Sequence, residues 1–265
     1  MFDENASQCG FCTPGIVLSL TGFLMSSKDF NYDDAITALD GNICRCTGYV
    51  SIRNAAKTLC DMFACKGVTA GLRTEHLVES RVLPKYFLDI PNKLFALNND
   101  ILIKKEVENP IFVAGGTDLF VQKPDEIINK NLTFISEMRE LCKIEEEDNV
   151  ITVGAGISTE DFRTSDIVNK AFPTIKDDLL FVSSTIMRNK ATIAGNIVNA
   201  SPIGDLTIIL LVLDTFLSIN NKKNKRIVAL DTFYNGYKSI YLKENELIEY
   251  IKIPLPSKNT PLHQN

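Results

Sequence analysis

The sequence predicts an α+β protein: a small helical bundle carrying a metal on its inter-helix loops, followed by a larger domain of alternating short strands and helices. Three observations predict it. Four of the seven cysteines form two tight pairs, Cys9/Cys12 (C-x-x-C) and Cys44/Cys46 (C-x-C), with the 31 residues 13–43 between them. Around these pairs the apolar residues recur every three or four positions, the period of a helix with one buried face. Beyond about residue 85 the apolar runs shorten and are bounded by Gly, Asn, Asp and Pro, as strands are.

The elements follow in order. Thr13 is placed to cap and Pro14 to start a helix, whose core face is Ile16, Val17, Leu20, Phe23 and Leu24 and whose end is Ser26-Ser27. A short helix covers Asp33 to Leu39, stopped by Asp40-Gly41. Ile52, Ala55, Ala56, Leu59 and Phe63 mark a third, leading to Gly67. Residues 1–66 are thus a helical domain, and the aperiodic, polar stretch 67–84 reads as a linker. A second domain, 85–265, opens at Lys85-Tyr86-Phe87.

In that second domain a strand at Pro110–Ala114 precedes a short helix, Asp118–Lys123, and a strand at Phe134-Ile135. Segments Lys143–Glu147 and Asn149–Gly154 flank an Asp148-Asn149 turn and read as a hairpin. Ser158-Thr159-Glu160-Asp161 resembles a capping box opening a helix to about Lys170. Helices at Ile175–Ser183 and Asp205–Leu213, and strands at Thr215–Ile219, Arg226–Leu230 and Leu247–Ile253, complete the pattern.

Composition excludes several function classes. A chain of 265 residues with 45% hydrophobic and 23% charged residues is ordinary for a globular protein of two modest domains. A net charge of −5 without any polybasic run argues against nucleic acid as a partner. The longest apolar run, Leu206–Leu213, is too short to span a bilayer, so no membrane is expected. Met1 is followed by acidic and polar residues rather than a secretory leader. An odd number of cysteines, most of them clustered, suits a reducing cytoplasm better than a disulfide framework.

Four thiolates brought to one place make a metal centre, with zinc and iron–sulfur as candidates. A zinc ribbon repeats C-x2-4-C at both ends, whereas here the second pair is squeezed to C-x-C. Gly10, Gly15, Gly41 and Gly48 crowd the sulfurs and let backbone amides approach, which suits the many sulfur acceptors of a 2Fe–2S cluster. The pattern therefore favours iron–sulfur. Cys60 and Cys65 match only half of a C-x4-C-x2-C site; together with Cys142 they are expected to be buried structural thiols.

A second constellation is strand, glycine turn and helix at Phe112-Val113-Ala114-Gly115-Gly116-Thr117-Asp118-Leu119. Such a turn lets N–H groups reach a phosphate, with the helix N-terminus adding its dipole. A bare Gly-Gly turn is more often only a turn, and neither a G-x-G-x-x-G nor a P-loop is present. Downstream, Arg188 to Ile197 leads through Ala200-Ser201-Pro202-Ile203-Gly204-Asp205 into an apolar helix. It offers small residues at Ala194-Gly195 and hydrogen-bonding side chains at Thr192, Asn196 and Ser201. Arg188 could be a surface charge, and Asp205 only a helix cap.

These residues carry a specific resemblance. Gln8 to Gly15 with Gly41 to Tyr49 resembles the second 2Fe–2S domain of the molybdenum hydroxylases, the xanthine dehydrogenase and aldehyde oxidase family, including the cysteine spacing. The two later stretches resemble the cofactor-contacting segments of the same family's flavin domain. The resemblance implies a 2Fe–2S cluster on Cys9, Cys12, Cys44 and Cys46. It also implies FAD contacted by Phe112, Val113, Ala114, Gly115, Gly116, Thr117, Asp118, Leu119, Thr192, Ile193, Ala194, Gly195, Asn196 and Asp205, and lined by Val182 and Ile248. Ala194 stands where many relatives carry glycine.

By the same resemblance the chain is similar to the small, iron–sulfur plus FAD subunit of bacterial xanthine dehydrogenases. A molybdopterin-binding large subunit would be its partner, with Gln8 and Cys46 facing it. Electrons would pass through 2Fe–2S to FAD and on to NAD, and no catalytic residue would lie on this chain. Relatives begin with a ferredoxin-like domain and end with a further flavin subdomain. The chain is therefore expected to be an internal piece, inactive alone, with weak FAD binding. Aldehydes or N-heterocycles as substrates, a zinc-stapled interaction protein and a stand-alone flavin reductase are the alternatives.

Overall fold

A computed structural model describes residues 1–27, 29–64, 73–98, 110–221, 224–243 and 245–255. The chain divides into two compact units, Met1–Lys105 and Glu106–Asn265.

The first unit is helical. It contains α1 (Thr13–Ser26), α2 (Tyr32–Thr37), α3 (Val50–Ala64), α4 (Arg73–Glu79), a 3-10 turn at Lys85–Asp89 and α5 (Ile90–Asn98). Ile16, Leu20, Phe23 and Leu24 of α1 are buried against Ile52, Ala55, Ala56 and Phe63 of α3, as the sequence period marks, whereas Val17, expected on the same face, is exposed. Each such large side chain contributes about 1.5–3 kcal/mol on burial. Phe30 stacks between Phe23 and Phe63, at centroid distances of 6.5 and 5.7 Å. Asn31 caps α2 by accepting from the N–H of Asp34 at 2.8 Å.

Two expectations change here. Cys12, not Thr13, holds the N-cap position of α1, so a candidate ligand sits at the helix mouth. The expected linker is not one in its described part: residues 73–79 are helical, and Leu77 and Leu83 are wholly buried in the first core. Two buried leucines in a polar stretch too short to show a period explain the misreading. Phe87, expected to open the second domain, also packs against the first core. Cys65 and residues 67–72 lie outside the described residues.

The second unit mixes strands and helices. β1 (Ile111–Val113) pairs in parallel with β2 (Leu132–Phe134). A five-stranded antiparallel sheet runs in the order β3 (Ile144–Glu147), β4 (Val150–Gly154), β9 (Leu247–Pro254), β5 (Phe216–Asn220), β6 (Lys225–Ala229). β7 (Tyr234–Gly236) and β8 (Ser239–Ile240) form a separate hairpin. The helices are α6 (Leu119–Gln122), α7 (Pro124–Ile127), α8 (Thr159–Thr164), α9 (Asp166–Ala171), α10 (Ile175–Asp178), α11 (Thr185–Lys190), α12 (Ile193–Asn199) and α13 (Asp205–Val212).

Ile151, Val153, Leu217, Ile219, Ile251 and Ile253 line one face of the sheet and join Phe162, Ile193, Ile197, Leu206 and Leu210 in one core. The pairing of β5 with β9 shifts register between Ser218 and Ile219. This irregularity lets both Ile248 and Ile251 turn inward, three positions apart, where a regular strand alternates every two.

Several expected elements break for visible reasons. The helix from Ser158 stops at Thr164, where Ser165 caps a new one by accepting from the N–H of Val168. The helix from Ile175 is α-helical only to Asp178 and ends in a 3-10 turn, Leu179–Phe181. Cys142 is exposed, not buried, whereas Cys60 is buried as expected. Among the described residues no helix is long and apolar enough to cross a membrane.

Candidate metal centre and cofactor cleft

The four cysteines of the motif come together in the first unit as two pairs. Cys46 Sγ lies 3.5 Å from Cys9 Sγ and donates to it. Cys12 and Cys44 also interact side chain to side chain. Two thiolates bound to one tetrahedral metal at about 2.3 Å stand roughly 3.8 Å apart, so Cys9 and Cys46 are spaced to share a metal. Among the described residues, no three acidic, cysteine or histidine side chains converge on one ion-sized point.

Charge is distributed unevenly over the sulfurs. Cys44 is lowered to about 7 by the hydroxyl of Thr47 and by the backbone N–H groups of Thr47 and Cys46. Cys9 is also lowered, first by the backbone N–H of Phe11. Cys12 is raised because its proton is held by Cys44, and Cys46 because its proton is held by Cys9. Each pair thus sets a more acidic thiol beside a less acidic one, and metal binding releases the protons that remain. Gly10 at φ +84° and Gly48 at φ +60° permit the tight turns that aim these backbone groups.

In the second unit a cleft of about 640 Å³ is lined by residues 110–119 and by Thr192, Ala194, Gly195, Asn196 and Ile248. Its size is that of a cofactor site. Gly115 makes the cleft possible: a Cβ there would stand 1.9 Å from the backbone oxygen of Lys190. The glycine therefore serves chain-to-chain packing, seating the first turn on the approach to the second segment. Gly116 adopts φ +72°, and a Cβ there would strike the Phe120 ring. Among the described residues, the N–H groups of Gly115, Gly116 and Thr117 donate to no protein acceptor. They remain available to an anionic ligand. α6, behind the turn, is a single turn of four residues, so its dipole adds little.

The second segment is fixed by its own caps. Thr192 caps α12 by accepting from the N–H of Gly195 at 3.0 Å. Asn196 Oδ1 accepts from the Thr207 hydroxyl at 3.4 Å. Gln122 Nε2 donates to Asn199 Oδ1 at 3.1 Å, joining α6 to α12. Arg188 is not a surface charge. It is 4% exposed and donates to Glu160 at 2.7 Å and to the carbonyls of Leu180, Val182 and Ser183, the last at 2.7 Å. Arg163 also pairs with Glu160 at 2.6 Å. Burial alone would raise Glu160, but hydrogen bonds from Arg163 and Arg188 outweigh it and hold the carboxyl below its ordinary range.

Three expected contacts fall outside the cleft lining. Ile193 is 1% exposed and faces the core. Val182 packs against the same core. Asp205 is exposed at the first position of α13, after Gly204 at the cap. Conversely, the cleft includes Lys123, Lys238, Leu242, Asn245, Glu246 and Leu247, which no motif marked. Glu246 is neutralised by Arg226 through hydrogen bonds of 2.9 and 2.7 Å.

Comparison with known proteins identifies this combination. A family model described as FAD binding domain in molybdopterin dehydrogenase matches residues 96–256, more than half of the chain. The chain belongs to the molybdenum hydroxylase family. A second model, a 2Fe-2S binding domain, matches residues 1–57, so this molybdenum hydroxylase chain carries both an iron–sulfur and a flavin domain. It is 27% identical to xanthine dehydrogenase of Dictyostelium discoideum over 95% of its length and 24% of that protein's. It is 26% identical to xanthine dehydrogenase/oxidase of Rattus norvegicus, over 95% of this chain and 23% of the relative. The chain thus spans about a quarter of the length of the curated relatives it matches. The carbon monoxide dehydrogenase of Hydrogenophaga pseudoflava superposes with a TM-score of 0.53 at 25% identity, over 57% of this chain and 53% of that one.

Proposed function

We propose that this chain is the electron-transfer part of a xanthine dehydrogenase-like molybdenum hydroxylase of the cytoplasm. It receives electrons from a molybdopterin-binding large subunit and delivers them to NAD. The observation that carries this reading is the pairing of Cys9 with Cys46 and Cys12 with Cys44, on the same polypeptide as a cleft with open backbone donors. Relatives named xanthine dehydrogenase and relatives named aldehyde oxidase both match along nearly the whole chain; the preference for a purine as the substrate of the assembly rests on the fusion of cluster and flavin domains in this order.

When bound, the 2Fe–2S cluster supplies one-electron transfer and FAD couples it to two-electron hydride chemistry. The four cysteines would hold the cluster, two to each iron, while donors from Phe11, Cys46 and Thr47 offset the charge on the sulfurs. The N–H groups of Gly115, Gly116 and Thr117 would bind the FAD diphosphate, with Lys238 and Lys123 supplying positive charge. Phe112 and Ile248 would exclude water from the same cleft. Asp205, exposed outside that lining, has no role in this reading. Phe11 and Ile43, 94% and 76% exposed beside the cysteine loops, with exposed Gln8, are suited to an interface with the large subunit.

Anaerobic reconstitution with ferrous iron, sulfide and FAD tests the reading. The expected product is coloured, contains two irons and one flavin per chain, and shows a 2Fe–2S paramagnetic signal after reduction. A colourless product that retains zinc instead would refute it.

A further inference from the structure

The loop bearing Cys44 and Cys46 closes on itself through three hydrogen bonds. Tyr49 Oη accepts from the backbone N–H of Cys44 at 2.9 Å. Thr47 Oγ1 accepts from the N–H of Tyr49 at 3.2 Å. The same Thr47 oxygen lies 3.3 Å from Cys44 Sγ. An amide can only donate, so toward Tyr49 the hydroxyl is an acceptor. A ligand thiolate has no hydrogen to give, so toward sulfur the hydroxyl is the donor. Its single proton is thereby assigned. The bonds run from Tyr49 N–H to Thr47 O–H to Cys44 Sγ, and each polarises the next.

This alignment is held against backbone strain. Tyr49 sits at φ +67°, following Gly48 at φ +60°. A bulky L-residue in the left-handed region is strained, and such strain persists only where the surroundings over-determine it. Here the ring hydroxyl of Tyr49 and its amide both serve the Cys44 turn.

We infer that Thr47 is a positioning residue that raises the reduction potential of the cluster by donating its hydroxyl hydrogen to Cys44 Sγ. The inference rests on Cys44 being a cluster ligand. Adding one electron makes the sulfurs more negative, so a donor aimed at one of them stabilises the reduced form more than the oxidised form. The backbone donors around Cys44 belong to the fold, whereas this one belongs to a side chain and can be removed alone.

Thr47→Val keeps the branched shape and removes the hydroxyl; Thr47→Ser restores the hydroxyl. The parent and both variants are reconstituted with iron and sulfide, then titrated with dithionite under paramagnetic-resonance detection. With Val the equilibrium constant for one-electron reduction falls by about three- to tenfold, tenfold being 59 mV, while Ser stays near the parent. Equal potentials in the parent and the Val variant overturn the role of Thr47 and leave the cluster standing. A parent chain that binds no iron overturns both. Should the Val variant hold no cluster, resonance Raman spectra of the parent and the Ser variant decide. A D2O shift of the iron–cysteine stretch in both supports the bond, and an unmoved band rejects it.

Discussion

The two sites are built on opposite plans. At the metal centre two of the sulfurs are supported from within a few residues of themselves: Cys44 by Cys46, Thr47 and Tyr49, and Cys9 by Phe11. The cleft has no such local economy. Its lips are Gly115 and Lys190, 75 positions apart, touching backbone to backbone, with Ile248 delivered by a strand irregularity farther on. The difference teaches where each site is vulnerable. Substitutions at the metal centre remove chemistry directly, whereas substitutions at the cleft damage the packing before they reach any chemistry.

The largest expected effects test that separation from both sides. Cys44→Ser is expected to abolish cluster uptake, measured as iron per chain, while flavin binding followed by fluorescence stays at the parent level. Gly115→Val is the mirror case. Its branched side chain meets a backbone carbonyl that cannot retreat, so flavin uptake is lost and stability falls by about 1–3 kcal/mol or more. Iron content is unchanged. If either substitution eliminates both cofactors, the contrast between the plans is wrong.

Arg188→Met sharpens the contrast within the cleft unit. It removes a buried guanidinium and leaves Glu160 to Arg163 alone. A loss of about 2–4 kcal/mol in urea unfolding is expected, together with weaker flavin binding through the displaced approach to Thr192. Smaller still is Thr192→Ala, which deletes the cap of α12 and should cost about 1 kcal/mol. Thr192→Ser is expected to restore most of it.

The smallest effect is in pH. Glu160 is held below its ordinary range when folded, so its contribution is complete above the unfolded value of about 4.3 and is lost as the pH falls through the folded one. Glu160→Gln should therefore cost less at pH 3 than at pH 7 in paired urea melts. Equal costs at both would assign the ion pairs no stabilising role.

How much was legible follows from the same two plans. Local order left local marks: the cysteine spacing, the buried faces of α1 and α3, the β3–β4 hairpin and the Ser158 cap can all be read within a dozen residues. The glycine turn was legible as a motif but not in its purpose, because nothing near Gly115 reveals that Lys190 will lie against it. Arg188 looked like surface charge since its acceptors, the carbonyls of 180–183, are backbone atoms that every sequence has. Lys238 and Glu246 reach the cleft through tertiary placement alone. Leu77 and Leu83 were hidden in a polar stretch too short to display a helical period. Cofactor type, in contrast, came from thiol spacing and family resemblance, which do not depend on knowing the fold.

The contact between Gly115 and Lys190 also sets a timetable. A ribosome making this chain exposes the glycine turn well before the strand of sequence that must rest on it, and the inward-turned isoleucine at 248 comes later still. The cysteine loops, by contrast, are complete once Tyr49 has emerged. The helical unit, whose last buried core side chain is Leu83, can therefore pack early in translation, while the cleft must wait until Ile248 has left the tunnel.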